Sequence, residues 1–492
     1  MFKKIKEFFR VLGELKYIIP LLKYKFPDPD DNESLAHSFE KTVEEFGNNN
    51  FIFFEDESWS YSETNKAANS LANKLVEDGV THSDRVVLFM ENRPDFIISI
   101  LALNKIGAIG VLINTSLTGK PLIHCINSSD SKKCIVGAEL AASLEAVLDE
   151  INIKDKEDIY WVEDGDRFIC PEWALSLKPL LDDSKDENLA ITNMVTAKDT
   201  AFYIFTSGTT VVPKAALFPN SKIIAASINI SKGGYRINDS DCMYNCLPLY
   251  HSTGLMLGLC ACVQVGAATF IRRKFSASAF WKEAKQFNTT AFVYVGELCR
   301  YLSFQDPSEE EKDNPISSMV GNGLRPDLWD CFRNRFNVER IVEIYGASEG
   351  NALFMNLLNK DETIGMTNAR VALFEYDVAE DKLVKDTESK FIEVGEGQPG
   401  LLLVEIGPDA IYNGYTDKKA SEEKVISNVF EEGDRWFNTG DLVKTMDVGF
   451  SLGRAHYQFV DRVGDTFRWK SENVSTNEVA ETLNAFDQVN MA

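Results

Sequence analysis

At 492 residues the chain exceeds what one hydrophobic core holds and should divide into two or more domains. Its 44% hydrophobic and 26% charged residues suit an ordinary globular protein. A net charge of −24 argues against nucleic acid, whose phosphates need a basic stripe, and would repel anionic substrates unless a metal ion or helix N-termini intervene locally. Nine cysteines, scattered and without zinc-type partners among five histidines, read as reduced, buried thiols of a cytosolic protein.

The first 25 residues depart from this acidity. Lys3, Lys4, Lys6, Arg10, Lys16, Lys23 and Lys25 against Glu7 and Glu14 give a net +5, so the remainder carries −29. Phe2, Ile5, Phe9, Leu12, Leu15 and Ile19 fall at helical spacing, and Pro20 predicts the helix end. A basic amphipathic helix reads either as an anchor on an anionic membrane surface or as a helix docked on its own domain. Glu7, Arg10, Glu14 and Lys16 interrupt any signal-peptide core.

After a Pro/Asp-rich link at 28–33, the pattern predicts a helix over Leu35–Phe46, a strand at Phe51–Phe54, a helix over Ser62–Val80 and a strand at Arg85–Met90. The apolar run Phe96–Ile113 is divided by Asn104, Lys105 and Gly107 into a helix of about two turns and a strand, each short of the ~18 apolar residues of a membrane span. Another helix and strand follow at Pro121–Asn127 and Lys133–Val136. This alternation predicts a doubly wound parallel sheet. Lys154–Glu187 is acid-rich and reads as an irregular surface excursion.

A strand at Ala201–Phe205 then opens onto Thr206, Ser207, Gly208, Thr209, Thr210, Val211, Val212, Pro213 and Lys214. Four hydroxyls, a glycine and a lysine after a buried strand suit a polyanion such as phosphate. The Walker A spacing is absent, and an ordinary Ser/Thr-rich turn has the same composition. The chain reads as helical from Lys214 to about Lys232, then as a strand at Cys242–Cys246 and a loop, Leu247–Gly254. That loop carries His251, either a packing residue or a functional one. Strands at Ala267–Ile271 and Ala291–Val295 continue the alternation. Two glycine turns follow, Gly321-Asn322-Gly323-Leu324-Arg325 and Tyr345-Gly346-Ala347-Ser348-Glu349-Gly350. Beyond Thr363, short strands with Gly-rich turns lead to Phe437–Asp441, suggesting a small β subdomain.

Together these turns resemble the adenylate-forming superfamily and, within it, the very-long-chain acyl-CoA synthetase / fatty acid transport protein family, from about Asn92 to Phe486. The most specific stretches are Val295–Leu302 (VGELCRYL), Gly321–Arg325, Tyr345–Asn351 and Asp461–Val479 (DRVGDTFRWKSENVSTNEV). The resemblance implies an α/β fold, a large adenylate-forming domain of two doubly wound αβ subdomains plus a small β subdomain. The expected boundaries are a basic N-terminal segment at 1–27, an AMP-binding domain at 28–463, and a hinge with the start of a C-terminal domain at 464–492. Only 28 residues follow Gly464, so the family's C-terminal lid, with its adenylation lysine, is expected to be mostly absent, whether as a fragment or a natural short form.

The reaction implied is attack of a fatty acid carboxylate on ATP to give acyl-adenylate, followed by displacement of AMP by CoA. By resemblance, Thr206, Ser207, Gly208, Thr209 and Thr210 contact the phosphates with Lys214 close by, and Glu349 and Thr209 hold Mg²⁺. Tyr345, Gly346 and Ser348, with Gly321, Asn322 and Gly323, face the adenosine. Asp441 accepts from the ribose hydroxyls with Arg462 assisting, and His251 stands near the acyl entrance. Gly464 falls at the family's hinge, and Ser471 near the pantetheine path of CoA. Two residues depart from the family: Val211 and Ser471 each stand where glycine is usual. The competing readings are a non-catalytic fatty-acid or nucleotide binder and an adenylating enzyme for another carboxylate.

Overall fold

The computed structural model describes residues 2–153, 155–165, 167–182, 184–206, 213–346, 350–378, 380–407, 410, 412, 418–463, 466–469 and 472–475. The chain divides into a larger unit, Pro20–Tyr294 with Phe304–Val320, and a smaller one, Met1–Ile19 with Val295–Ser303 and Gly321–Ala492.

The chain opens with α1 (Phe2–Lys23), of which the residues up to Ile19 belong to the smaller unit. The larger unit then runs α2 (Leu35–Phe46), β1 (Asn50–Phe54), β2 (Glu57–Ser60), α3 (Tyr61–Glu77), β3 (Arg85–Phe89), α4 (Pro94–Lys105), β4 (Ile109–Leu112), α5 (Gly119–Ser128) and β5 (Lys133–Gly137). It continues with β6 (Ile159–Val162), β7 (Leu175–Ser176), β8 (Thr200–Thr206), β9 (Lys214–Pro219), β10 (Cys242–Asn245), β11 (Ala268–Ile271) and β12 (Ala291–Val295). One sheet has the order β7-β6-β5-β3-β4-β8-β9 and is parallel except between β8 and β9. The other has β12-β10-β11-β1-β2 in order, parallel except between β1 and β2. These are the doubly wound sheets that alternating strands and helices require.

Local chemistry accounts for the element ends. Ser60 and Glu63 form a reciprocal capping box at the start of α3, and Pro94 occupies the first turn of α4, where its missing N–H costs nothing. All of β5 and β6 are buried, as strands covered on both faces must be. Lys105, fully buried at the end of α4, is bonded to Glu40 of α2, and desolvation lowers its pKa.

Three sequence expectations need correction. Lys154–Glu187 is not merely an excursion, because Ile159-Tyr160-Trp161-Val162 is an interior strand that its acidic flanks obscure. The chain after Lys214 is not yet helical: Lys214–Pro219 returns antiparallel to β8, burying Ala215, Ala216 and Phe218, and the helix begins at Asn220. Nor does α1 stop at Pro20. In a last turn proline forfeits one backbone bond, and Leu21 beyond it is buried against Ile224 and Ile228.

In the smaller unit α1 lays one face on its own neighbours. Val11 and Ile18 are buried with Leu358, Glu14 pairs with buried Arg340 (3.1 Å), and Arg10 donates to the Leu358 carbonyl (2.8 Å). Glu7 bridges Arg10 and Lys360. The unit continues from β13 (Ser318–Asn322), at the boundary, to β14 (Arg340–Tyr345) and β15 (Phe354–Met355), which pair antiparallel to each other. Then come β16 (Val371–Phe374), the hairpin β17 (Tyr376–Asp377) and β18 (Lys382–Leu383), β19 (Gly400–Glu405), β20 (Val425–Ser427), β21 (Arg435–Met446) and β22 (His456–Arg462). β16, β19 and β21 make an antiparallel sheet, and β20 and β22 pair with successive parts of β21. This is the β subdomain expected beyond Thr363.

All nine cysteines are free thiols and seven are buried; burial pushes Cys134, Cys246 and Cys260 up to about 12. Among the described residues no helix is long and apolar enough to cross a membrane.

Candidate active site

The site is built on an irregularity in β21. Its pairing with β19 runs Leu401↔Leu442 and then Leu403↔Asn438, so a two-residue step on β19 faces a four-residue step on β21. The surplus, around Thr439–Asp441, bulges from the ladder. Gly440 takes a left-handed φ of +75°, and its N–H donates to Asn438 Oδ1 (2.9 Å). Thr439 Oγ1 donates to the Leu402 carbonyl (2.9 Å) and accepts from the Asp441 N–H (3.1 Å).

The bulge delivers a buried carboxylate between two donors. Asp441 stands opposite Arg462 in the β21–β22 register, with Arg462 Nε 3.5 Å from its Oδ1. The Tyr345 hydroxyl, at the end of β14, donates to Asp441 Oδ2 (2.5 Å). Burial, then the adjacent carboxylate, raise the Tyr345 phenol well above its ordinary pKa, so it keeps its proton and remains a donor. Its ring is braced edge-on by Phe354 (centroids 5.5 Å) and more loosely by Phe459 (6.1 Å).

The Gly321–Arg325 turn leaves β13 within the same unit. Gly323 has φ +82°, and its carbonyl lies so close to Gly296 that a Cβ there would come within 1.6 Å of the oxygen. From the other side, Glu343 Oε1 accepts the Gly323 N–H and the Leu324 N–H (3.0 Å). Glu343 is 3% exposed and two residues before Tyr345 on the same strand. Sequence reasoning passed over it. The available signal was a single charge in the apolar run Ile341-Val342-Glu343-Ile344, since a buried carboxylate must find donors.

The remaining predicted residues divide by place. Thr206 ends β8, its backbone paired with Lys214, a half-buried residue of β9 in the larger unit. His251 lies in an exposed turn of that unit, its N–H donating to the Pro248 carbonyl (3.1 Å). Gly346 directly follows Tyr345. Ser207, Gly208, Thr209, Thr210, Val211, Ser348, Glu349, Gly464 and Ser471 lie outside the described residues. Tyr345, Asp441 and Arg462 thus form one cluster, and Gly321, Asn322 and Gly323 a turn held by Gly296 and Glu343. Among the described residues no group of three or more His, Cys, Asp or Glu side chains is placed to hold a metal ion.

The pattern of the family described as AMP-binding enzyme matches residues 39–416. The chain belongs to that family. It is 37% identical over 460 residues to the medium/long-chain-fatty-acid–CoA ligase FadD6 of Mycobacterium tuberculosis, covering 94% of this chain and 74% of that protein. It is also 37% identical over 452 residues to the mouse (Mus musculus) long-chain fatty acid transport protein 6, covering 90% and 71%. Within the AMP-binding enzymes it therefore falls in the very-long-chain acyl-CoA synthetase / fatty acid transport protein group, and its reaction class is AMP-forming ligation of a fatty acid to CoA. The fold is also that of the anthranilate CoA ligase AuaEII solved with anthranoyl-AMP, with a TM-score of 0.76 at 18% identity over 96% of this chain and 85% of the other.

Proposed function

We propose that the chain activates long- or very-long-chain fatty acids, with the Tyr345–Asp441–Arg462 cluster as its nucleoside anchor. A carboxylate oxygen of the acid attacks the α-phosphorus of ATP. The bond to the β-phosphate oxygen breaks, and pyrophosphate leaves. The CoA thiol, losing its proton, then attacks the acyl carbon and expels AMP. The difficulty is bringing one anion onto another in a protein of charge −24, so donors and cations must stand where charge develops.

In this reading the Tyr345 ring lies against adenine, the Gly321–Gly323 backbone approaches the base, and Asp441 accepts from the ribose hydroxyls while Arg462 screens its charge. Thr206, Ser207, Gly208, Thr209 and Thr210 with Lys214 serve the phosphates, and His251 the acyl entrance. Glu349 and Thr209 offer the oxygen donors Mg²⁺ prefers, and the ion would neutralise phosphate charge there. The observation that carries the reading is the hydrogen bond from Tyr345 to Asp441, which joins an aromatic face to a buried carboxylate.

The test gives the purified chain oleate or a longer acid with Mg²⁺ and ATP, and follows pyrophosphate exchange and acyl-CoA separately. Acid-dependent exchange supports the reading. No exchange with any fatty acid, alongside clean AMP binding, would instead favour a nucleotide binder without ligase chemistry.

A second proposal rests on α1. Its docked face leaves Ile5, Phe9 and Ile19 at 45%, 65% and 42% exposure beside exposed Lys6 and Lys16. An apolar strip with lysines, on an otherwise acidic chain, suits peripheral contact with an anionic membrane surface.

A further inference from the structure

We infer that Glu343 is a positioning residue for the nucleobase: it fixes the Asn322–Gly323 peptide and thereby sets the preference for adenine over guanine. The inference rests on the nucleotide reading above. The two N–H groups of Gly323 and Leu324 converge on the single oxygen Oε1 of Glu343. No peptide bond among the described residues is cis, so within each peptide the carbonyl points opposite to the N–H of the following residue. The Asn322 carbonyl therefore points away from Glu343. The Gly323 carbonyl also points away from it and lies against Gly296, the one residue type without a Cβ to collide with it. The turn is clamped on both sides.

Without the carboxylate, this is a turn that should flip. Gly323 sits at φ +82°, and glycine tolerates the alternative backbone conformation without steric cost. Flipping the Asn322–Gly323 peptide exchanges an acceptor on the side away from Glu343 for a donor there. Adenine carries an exocyclic amine, a donor, where guanine carries a carbonyl oxygen, an acceptor. A carbonyl on that side suits the first and an N–H the second. Glu343, buried and two residues from Tyr345, holds the turn in the form that suits adenine.

The full chain is compared with Glu343→Met, similar in length but without an acceptor, and with Glu343→Gln, whose single amide oxygen can still take both N–H groups. ATP and GTP affinities are read by calorimetry, and KM and kcat from pyrophosphate exchange with oleate. For Glu343→Met we expect ATP affinity to fall by about tenfold or more. GTP affinity should hold or rise, KM for ATP should increase, and kcat at saturating ATP should change little. Glu343→Gln should stay within about threefold of the parent. If Glu343→Met does not fold, Glu343→Asp, one methylene short of the turn, takes its place. An unchanged ATP-to-GTP ratio in the Met variant overturns the inference, as does a Gln variant as impaired as Met. A parent chain that binds neither nucleotide would instead overturn the nucleotide reading beneath it.

Discussion

The two units present their chemistry in different ways. In the larger unit most strands run parallel, and interior ones such as β5 and β6 are buried throughout, so a polar group in the middle of such a strand carries a desolvation cost. Its candidate functional residues lie at strand ends and in turns, with Thr206 closing β8 and His251 following β10. In the smaller unit the long strand β21 is antiparallel and partly open, with runs of half-buried residues. There a bulge can turn a carboxylate out of the ladder, and Asp441 arises within the strand itself. In the parallel sheets the candidate residues sit at strand ends, and in the irregular antiparallel one a candidate sits mid-strand.

That contrast can be broken by substitution. The largest effect should come from Phe202→Ala in β8, a fully buried side chain whose loss should cost about 3–5 kcal/mol of stability. Urea unfolding measures it, and a loss under ~1 kcal/mol would mean that the face of β8 carrying Phe202 is not tightly packed. AMP affinity of the folded fraction should be unaffected. Asp441→Ala should do the reverse of Phe202→Ala at the site, weakening AMP binding by roughly 1–3 kcal/mol through lost charge-assisted hydrogen bonds. Asp441→Asn, which keeps an acceptor for Tyr345, should lose less. Calorimetric titration giving parental affinity for the alanine variant would remove Asp441 from the nucleoside role.

The two faces of α1 extend the comparison to smaller effects. Phe9→Asp, on the outward face, should lower co-sedimentation with phosphatidylserine vesicles while stability stays within about 0.5 kcal/mol. Added salt should weaken binding of the parent chain too, because exposed charge attraction fades over a Debye length of about 8 Å at physiological ionic strength. Equal sedimentation of the variant and its parent would leave α1 as a docking element alone. On the docked face, the Arg10 hydrogen bond, with help from Lys360, lowers the Glu7 carboxyl from 4.5 to about 2. A folded pKa below the unfolded one stabilises the protein above the unfolded value, and that contribution disappears as pH falls from about 4.5 to about 2. The stability difference between the parent and Glu7→Gln should therefore shrink across that window in acid-unfolding curves. A difference constant from pH 6 to pH 2 would show that Glu7 does not act through its charge.

Much of the fold was legible because periodicity and end signals agreed. Leu35–Phe46 was read to the residue, where an apolar stripe begins beside Ser34 as N-cap and ends before Gly47. The misses share a cause, since each depends on something distant in sequence. Ile159–Val162 is short and its flanks are acidic, so only its place beside β5 makes it an interior strand. Lys214–Pro219 becomes a strand because β8 offers an edge to pair with. Tyr345 and Asp441 were both legible as family residues, yet the bond between them depends on a bulge that no local pattern announces. Glu343 was visible only as a charge out of place.

The cysteines bear on a hazard peculiar to this chemistry. An acyl-adenylate is a mixed anhydride, reactive toward any thiolate, and the enzyme must keep it for one particular thiol. With burial pushing Cys134, Cys246 and Cys260 up to about 12, these thiols stay protonated at neutral pH and only a trace of each carries the nucleophilic form. Burial that reads as ordinary core packing also makes these side chains chemically deaf to the intermediate, so self-acylation at them is suppressed without any dedicated shield.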